Sequence, residues 1–432
     1  MWNIHGKKYD FTSFLDRHPG GKFILERTRG LPDITALFES YHAFSDIQHI
    51  EEIMKKYEIK DTADTADTTD ITDNNADTID ADTSANCDED TTTIIPSTPS
   101  LDRKDFSSYR ELVKRVKTQF PKTIDIKANS IWITYNSVIF SLAAVFFYGC
   151  YFSNITFTYK IICQIFYSIC ESSIQSNLMH EGSHFAISIY PEINILLSNF
   201  AHRIILWNLN VWFYHHVYNH HSYTGSENDP DDSLFQLEYT DTDTTIIQKH
   251  TLINIIHTFF PGQYTGQSLL YFVSPFTGKF HHMITPSPRM MYYNVLDIVF
   301  MVFKIYVLYH AGIIQSIIHF TILNTLYYIN IIPNHSTYEN KIDNKYVGKD
   351  WMKMQICNTG NFITENRWWT CLFGGINYQI EHHLFPNMCS IHYPAVSKIV
   401  KEYCKEQNIP YVNKSSLFEA YDSYKKFIYY SR

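Results

Sequence analysis

The chain has 432 residues and a formal charge of -9, from 44 Asp and Glu against 35 Lys and Arg. Eleven of the acids crowd into residues 61–90, which hold no Lys or Arg, so the remainder is close to neutral and carries no basic stripe for nucleic acid. Eight scattered cysteines without a CxxC pair argue against a disulfide framework and fit packing residues in a reducing compartment.

In chain order, Met1 to Lys8 lacks the apolar core of a signal peptide, so the N-terminal region is expected to stay in the cytosol. Residues 1–58 mix aromatics, charges and turn signals as a small soluble domain does. Within it His18-Pro19-Gly20-Gly21 forms a sharp turn, because Pro fixes one φ and the glycines permit positive φ. His42 follows in Leu37-Phe38-Glu39-Ser40-Tyr41-His42. This pair of motifs resembles cytochrome b5. The resemblance implies that His18 and His42 ligate a haem b from opposite faces, a geometry that moves electrons and leaves no site for oxygen.

From Asp61 to about Pro99 the sequence repeats Asp-Thr-Ala without an aromatic residue. Such a segment cannot bury enough apolar surface to offset the entropy of ordering, and it reads as a disordered tether that lets the first domain search for a docking site. Residues 103–127 are polar and helix-compatible. Their basic residues, Lys114, Arg115, Lys117, Lys122 and Lys127, precede the first apolar run and favour the cytosolic side. Apolar stretches at about 131–152, 155–177, 293–310 and 312–332 are each long enough to span a bilayer, the second interrupted by Lys160 and Glu171. A further apolar stretch, Ile193 to Trp212, is broken by His202 and Arg203 and reads as an interfacial helix. Four spans return the chain to its starting face, which keeps everything between the second and third spans, and everything after the fourth, on the cytosolic side.

That face carries three histidine clusters: His180-Glu181-Gly182-Ser183-His184, His215-His216-Val217-Tyr218-Asn219-His220-His221 and Gln379-Ile380-Glu381-His382-His383. His180 and His184 are four residues apart and project from one helical face; His216 and His220 repeat the spacing, with His221 turned about a hundred degrees away. Imidazole suits iron, copper, zinc and nickel alike. The number of nitrogens exceeds what one tetrahedral zinc takes, so two metal ions are the simpler reading. The first cluster also matches HExxH, the zinc-protease motif with Glu as base. A protease leaves the other clusters and the haem-like domain without a purpose. Isolated histidines at 250, 257, 281, 282, 310, 319 and 392 read as ordinary core residues, whereas burying the clusters near lipid without a metal would be costly.

With these boxes in this order, the chain resembles the front-end fatty acyl desaturases that carry a fused cytochrome b5 domain. Asn219 to Gly225, then Asn228-Asp229-Pro230-Asp231, look like the segment after the second box in members acting at the 5 or 4 position, and Gly374 to Pro386 is similar to the family's third box almost throughout. The implied architecture is multidomain: a small α+β cytochrome b5-like domain (1–60), an acidic linker (61–102), and an all-α integral membrane desaturase domain (103–432) with four transmembrane helices and a cytosolic histidine-rich helical cap. The resemblance implies iron ligation by His180, His184, His216, His220, His221, His382 and His383, with His335 just after the fourth span as a further ligand. Gln379 holds a catalytic position, acting directly or through water. Glu181 stands where members often have Asp. His215 stands where many have Gln, which leaves open which of His215 and His216 binds.

The implied reaction removes two hydrogens from a polyunsaturated acyl chain, as a coenzyme A or phospholipid ester, between an existing double bond and the carboxyl end. Unactivated C–H bonds are beyond side-chain acid–base chemistry, so the resemblance implies a di-iron centre, O2, and NADH-derived electrons passed from a cytochrome b5 reductase through the haem. It also implies residence in the endoplasmic reticulum, with the haem domain, iron site and both termini cytosolic. A hydroxylase on the same scaffold, a sphingolipid desaturase and a catalytically silent haem-binding membrane protein are the alternatives.

Overall fold

The computed structural model describes residues 1–60, 101–205, 209–226, 228–230, 295–339, 346 and 348–430. The acidic repeat and His250, His257, His281 and His282 therefore lie outside the described residues.

The N-terminal domain opens on a hairpin, β1 (Trp2–Ile4) antiparallel to β2 (Lys7–Tyr9), with Trp2 opposite Tyr9. Its two-residue turn, His5-Gly6, has positive φ at both positions, 52° and 73°, as a type I′ turn demands. Three helices follow: α1 (Lys22–Thr28), α2 (Thr35–Tyr41) and α3 (Ile47–Lys55). Trp2, Ile4, Phe11, Leu25 and Leu37 form the core, and the buried Trp2 indole donates to the Leu25 carbonyl at 2.9 Å. α2 ends at His42, whose backbone N–H still donates to the Phe38 carbonyl.

Beyond the linker, α4 (Ser107–Gln119) supplies the expected polar helix. The four apolar stretches are helical: α5 (Ser130–Tyr151), α6 (Phe157–Ile174), then, after the cap segments, α9 (Val295–Ala311) and α10 (Ile313–His335). Among the described residues one helix, Thr123–Tyr151, is long and apolar enough by length and composition to cross a membrane. Of the others, α9 is described over 17 residues, and α6 and α10 carry polar groups that face inward. Glu171 on α6 is wholly buried, paired with Lys304 of α9, and lies 3.7 Å from His319 of α10, which in turn meets Gln164 and Ser168. Hydropathy scores such residues as water-seeking although their partners lie inside the bundle.

The cap is built from short helices between and after these four. α7 (Pro191–Ile205) makes the first part of the interrupted apolar stretch helical, and α8 (Leu209–Trp212) leads into the second histidine cluster. After α10 come α11 (Trp351–Cys357), α12 (Arg367–Leu372), α13 (Gln379–Leu384), α14 (Tyr393–Glu406) and α15 (Leu417–Tyr430). A two-stranded parallel pair, β3 (Asn361–Phe362) with β4 (Asn413–Lys414), ties the tail beneath α13.

The N-terminal domain is docked on this cap. Buried Glu39 of α2 pairs with Arg110 of α4, Lys117 donates to the Ser45 carbonyl at 2.9 Å, and the Tyr218 hydroxyl donates to the Asp33 carbonyl at 3.0 Å. Burial alone would raise the Glu39 carboxyl, but hydrogen bonds from His5 and Arg110 hold it below the ordinary range.

Candidate metal centre

Two of the three clusters sit where a helix changes pitch. α6 runs through a π-helical turn, Gln175–His180, into Glu181–Ser183, and α8 continues as a π-helix over Phe213–His220 into His221–Tyr223. In a π turn, hydrogen bonds join residues five apart and the side-chain register shifts. The third cluster lies on α13, entered through Gly374 and Gly375 at φ 56° and 68°. A Cβ on Gly374 would lie 2.4 Å from the Ser176 carbonyl oxygen, so glycine is what lets this turn close against the first cluster.

The imidazoles converge in two sets. His180, His184, His216 and His382 bring ligand nitrogens within 4.8 Å of one another, and so do His220, His335 and His383. His221 stands between them, its Nε2 3.3 Å from that of His216 and its ring 4.3 Å from that of His383, centroid to centroid. His216 and His220 lie side by side as their spacing predicts, rings stacked at 5.3 Å, but His216 joins the first set and His220 the second. His221, expected to turn away, meets His216 five residues back because this segment is π-helical. His216 belongs to a set and the buried His215 to neither.

Burial lowers the His180 imidazole to about 3 and, with its neighbours' repulsion, holds His184, His216, His221, His382 and His383 well below the ordinary value. The rings are therefore neutral electron-pair donors. Their outer nitrogens are largely held: His184 Nδ1 by the Tyr41 hydroxyl at 2.8 Å, His220 Nδ1 by Asp229 at 2.9 Å, His335 Nδ1 by the Asn358 carbonyl at 3.1 Å, and His383 Nδ1 by Gln355 at 2.8 Å. The Nε2 atoms of His184 and His382, buried in the first set, have no hydrogen-bond partner. Orphaned, inward-facing nitrogens backed by fixed outer partners are what metal ligation needs. Among these orienting residues the sequence pointed to Asp229 alone, through Asn228-Asp229-Pro230-Asp231; Tyr41, Gln355 and Asn358 carried no signal.

Gln379 lies inside the second set, its amide nitrogen 2.9 Å from His335 Nε2 and 3.1 Å from His383 Nε2, while its oxygen accepts from Asn334. Glu181, the base of the protease alternative, accepts instead from Ser390 Oγ and from Cys389 Sγ, and burial pushes it up to about 7. It is committed to holding the turn after Pro386. Next to both sets lies a small cavity of about 40 Å³, lined by Met179, Trp212, Tyr327, Ile331 and Ile376 together with Gln175, Ser176, Gln379 and the histidines His180, His216, His220 and His335.

In the N-terminal domain His18 and His42 face each other with ring centroids 6.2 Å apart. Metal–nitrogen bonds of about 2 Å on each side would set the centroids roughly 6 Å apart, so an iron fits between them. Each Nδ1 is already bonded to a carbonyl, Gly21 at 3.0 Å and Phe38 at 2.8 Å, which leaves each Nε2 for the metal.

Residues 155–415 match the fatty acid desaturase family, and residues 1–63 match the cytochrome b5-like heme/steroid binding domain. The chain belongs to the fatty acid desaturase family. It is similar to Delta(5) fatty acid desaturase A of Dictyostelium discoideum, 26% identical over 99% of this chain and 89% of that one. It is equally similar to the acyl-lipid (8-3)-desaturase of Mortierella alpina, at 26% identity over 98% of this chain and 91% of that one. The acyl-lipid (8-3)-desaturase of Physcomitrium patens is 24% identical over 95% and 83%. The desaturase is thus an oxidoreductase of the front-end type with a fused cytochrome b5 domain, and its cofactors are haem and iron.

Proposed function

We propose that the desaturase inserts a cis double bond at carbon 5 of a polyunsaturated chain esterified to a membrane lipid. The position and carrier follow the names of the relatives in Dictyostelium and Mortierella. The observation that carries the reaction is the convergence of both histidine sets beside one small cavity that Met179, Trp212, Tyr327, Ile331 and Ile376 line on its apolar side.

His180, His184, His216 and His382 hold one iron, His220, His335 and His383 the other, and His221 stands between them. The irons supply the oxygen activation that side chains cannot. The chain's own work is positioning: methylenes are chemically alike, so regiochemistry comes from which carbon the cavity holds beside the sets. Met179, Trp212, Tyr327 and Ile331 exclude water from that carbon, and Gln379 closes the second set. His18 and His42 hold the haem, which a membrane-bound NADH–cytochrome b5 reductase charges.

α5, α6, α9 and α10 span the membrane, with the cap and haem domain on the cytosolic face of the endoplasmic reticulum. Each of the four shows apolar side chains outward: Val145, Tyr159, Val302 and Ile313 are all more than half exposed. In water such surfaces would be unfavourable; in lipid they are the solvated faces. The domain division is 1–60, 61–102 and 103–432.

Yeast expressing the chain and fed polyunsaturated acids whose first double bond begins at different carbons provides the test. Gas chromatography with double-bond location is expected to show a new bond at carbon 5, between the existing one and the carboxyl, in the phospholipid fraction. Hydroxylated products alone, or no product, would defeat the reading.

A further inference from the structure

Tyr41 is the last residue of α2 and the chain neighbour of His42. Its hydroxyl lies 2.8 Å from His184 Nδ1, with the two rings nearly parallel at 29°, and Asn387 Nδ2 donates to its carbonyl at 2.9 Å. A residue of the haem domain thus supplies the outer partner of a histidine in the first set. Further contacts across this interface, among them Glu39 with Arg110, Ser45 with Lys117, Asp33 with Tyr218 and Arg27 with Tyr214, meet residues outside both sets.

We propose that Tyr41 is a positioning residue with two linked tasks: it fixes the ring of His184, and it couples the His42 haem to the iron of the first set. The inference rests on the placement of haem and iron proposed above. With His184 Nε2 turned to the metal, its Nδ1–H donates to the Tyr41 oxygen. The path from His42 runs through one peptide unit, the tyrosine ring and a single hydrogen bond to His184. One electron leaves ferrous haem, which becomes ferric, and reduces one ferric iron of the first set to ferrous. Two such transfers, with two electrons and two protons from the substrate C–H bonds and two protons from water, reduce O2 to two waters. The tyrosine is not itself oxidised. The iron held by His180, His184, His216 and His382 is the entry point, and the second set receives electrons through it.

Tyr41→Phe keeps the ring and removes the hydroxyl. In the purified full-length protein loaded with haem and iron, haem spectrum and haem potential are expected to match the unsubstituted protein. Reoxidation of the reduced haem on mixing with O2, followed by visible absorbance, is expected to slow by about tenfold per bound iron. Iron content, and product from a single turnover after complete reduction with dithionite, which bypasses the haem, are expected to fall by much less than the reoxidation rate. A reoxidation rate equal to that of the unsubstituted protein would overturn the proposal. So would a loss of iron, or of product after dithionite, as large as the fall in that rate, since the hydroxyl would then act only by holding His184. Failure of the underlying placement reads differently: the unsubstituted protein would itself lack iron or haem.

Discussion

At His220 a buried carboxylate, Asp229, sits 2.9 Å from the nitrogen that faces away from the second set. A charged acceptor there fixes the tautomer and makes the opposite nitrogen a stronger donor to metal. Asp229→Asn keeps the shape and removes the charge; iron affinity or desaturation is expected to fall by about 10- to 100-fold. Iron per chain and lipid product measure it, and an unchanged value for both would remove Asp229 from the site. Of the histidines proposed as ligands, seven were legible because they come in tight clusters at apolar borders, and His335 only through the family resemblance; all eight lie in or between the two groups. Their orienting partners were not. Gln355 reaches His383 from 28 residues away, and Tyr41 reaches His184 from 143; no local pattern records such pairs.

Among the elements, a 3.6-residue period turned His221 away from His216, and the π-helical turn through Phe213–His220 brings the two together. The lesson is physical: an extra residue per turn places i and i+5 together, and sequence does not announce it. The four long helices were legible from apolar length, but the reason Glu171 is tolerated in α6 was not, because Lys304 lies 133 residues further on. Removing one partner of a buried ion pair leaves an uncompensated charge. Lys304→Ala is therefore expected to destabilise the helix bundle by about 3 kcal/mol or more, seen as a lowered melting temperature in detergent. Replacing Glu171 and Lys304 together with apolar residues is expected to recover much of that loss. A Lys304→Ala protein as stable as the parent would show that the pair does not hold the helices.

For the whole molecule, two domains separated in sequence by an acidic repeat share one interface, with α2 of the haem domain against α4, the second histidine cluster and the turn at Asn387. Their existence as separate units could be read from HPGG and the later histidine boxes; how they dock could not, since it depends on surface groups such as Glu39, Arg110 and Tyr218 with no motif of their own. The two cofactor sites share no proposed ligand, so each can be loaded without the other. His18→Ala is expected to abolish haem binding and desaturation while leaving non-haem iron in place; desaturation at the parent's rate, with no separate cytochrome b5 present, would break the electron route. Whether distant imidazoles meet around a pair of irons is decided by metal analysis of the purified full-length protein. One haem and two non-haem irons per chain are expected, with the non-haem iron falling in His382→Ala; a single zinc with no non-haem iron would contradict a di-iron centre.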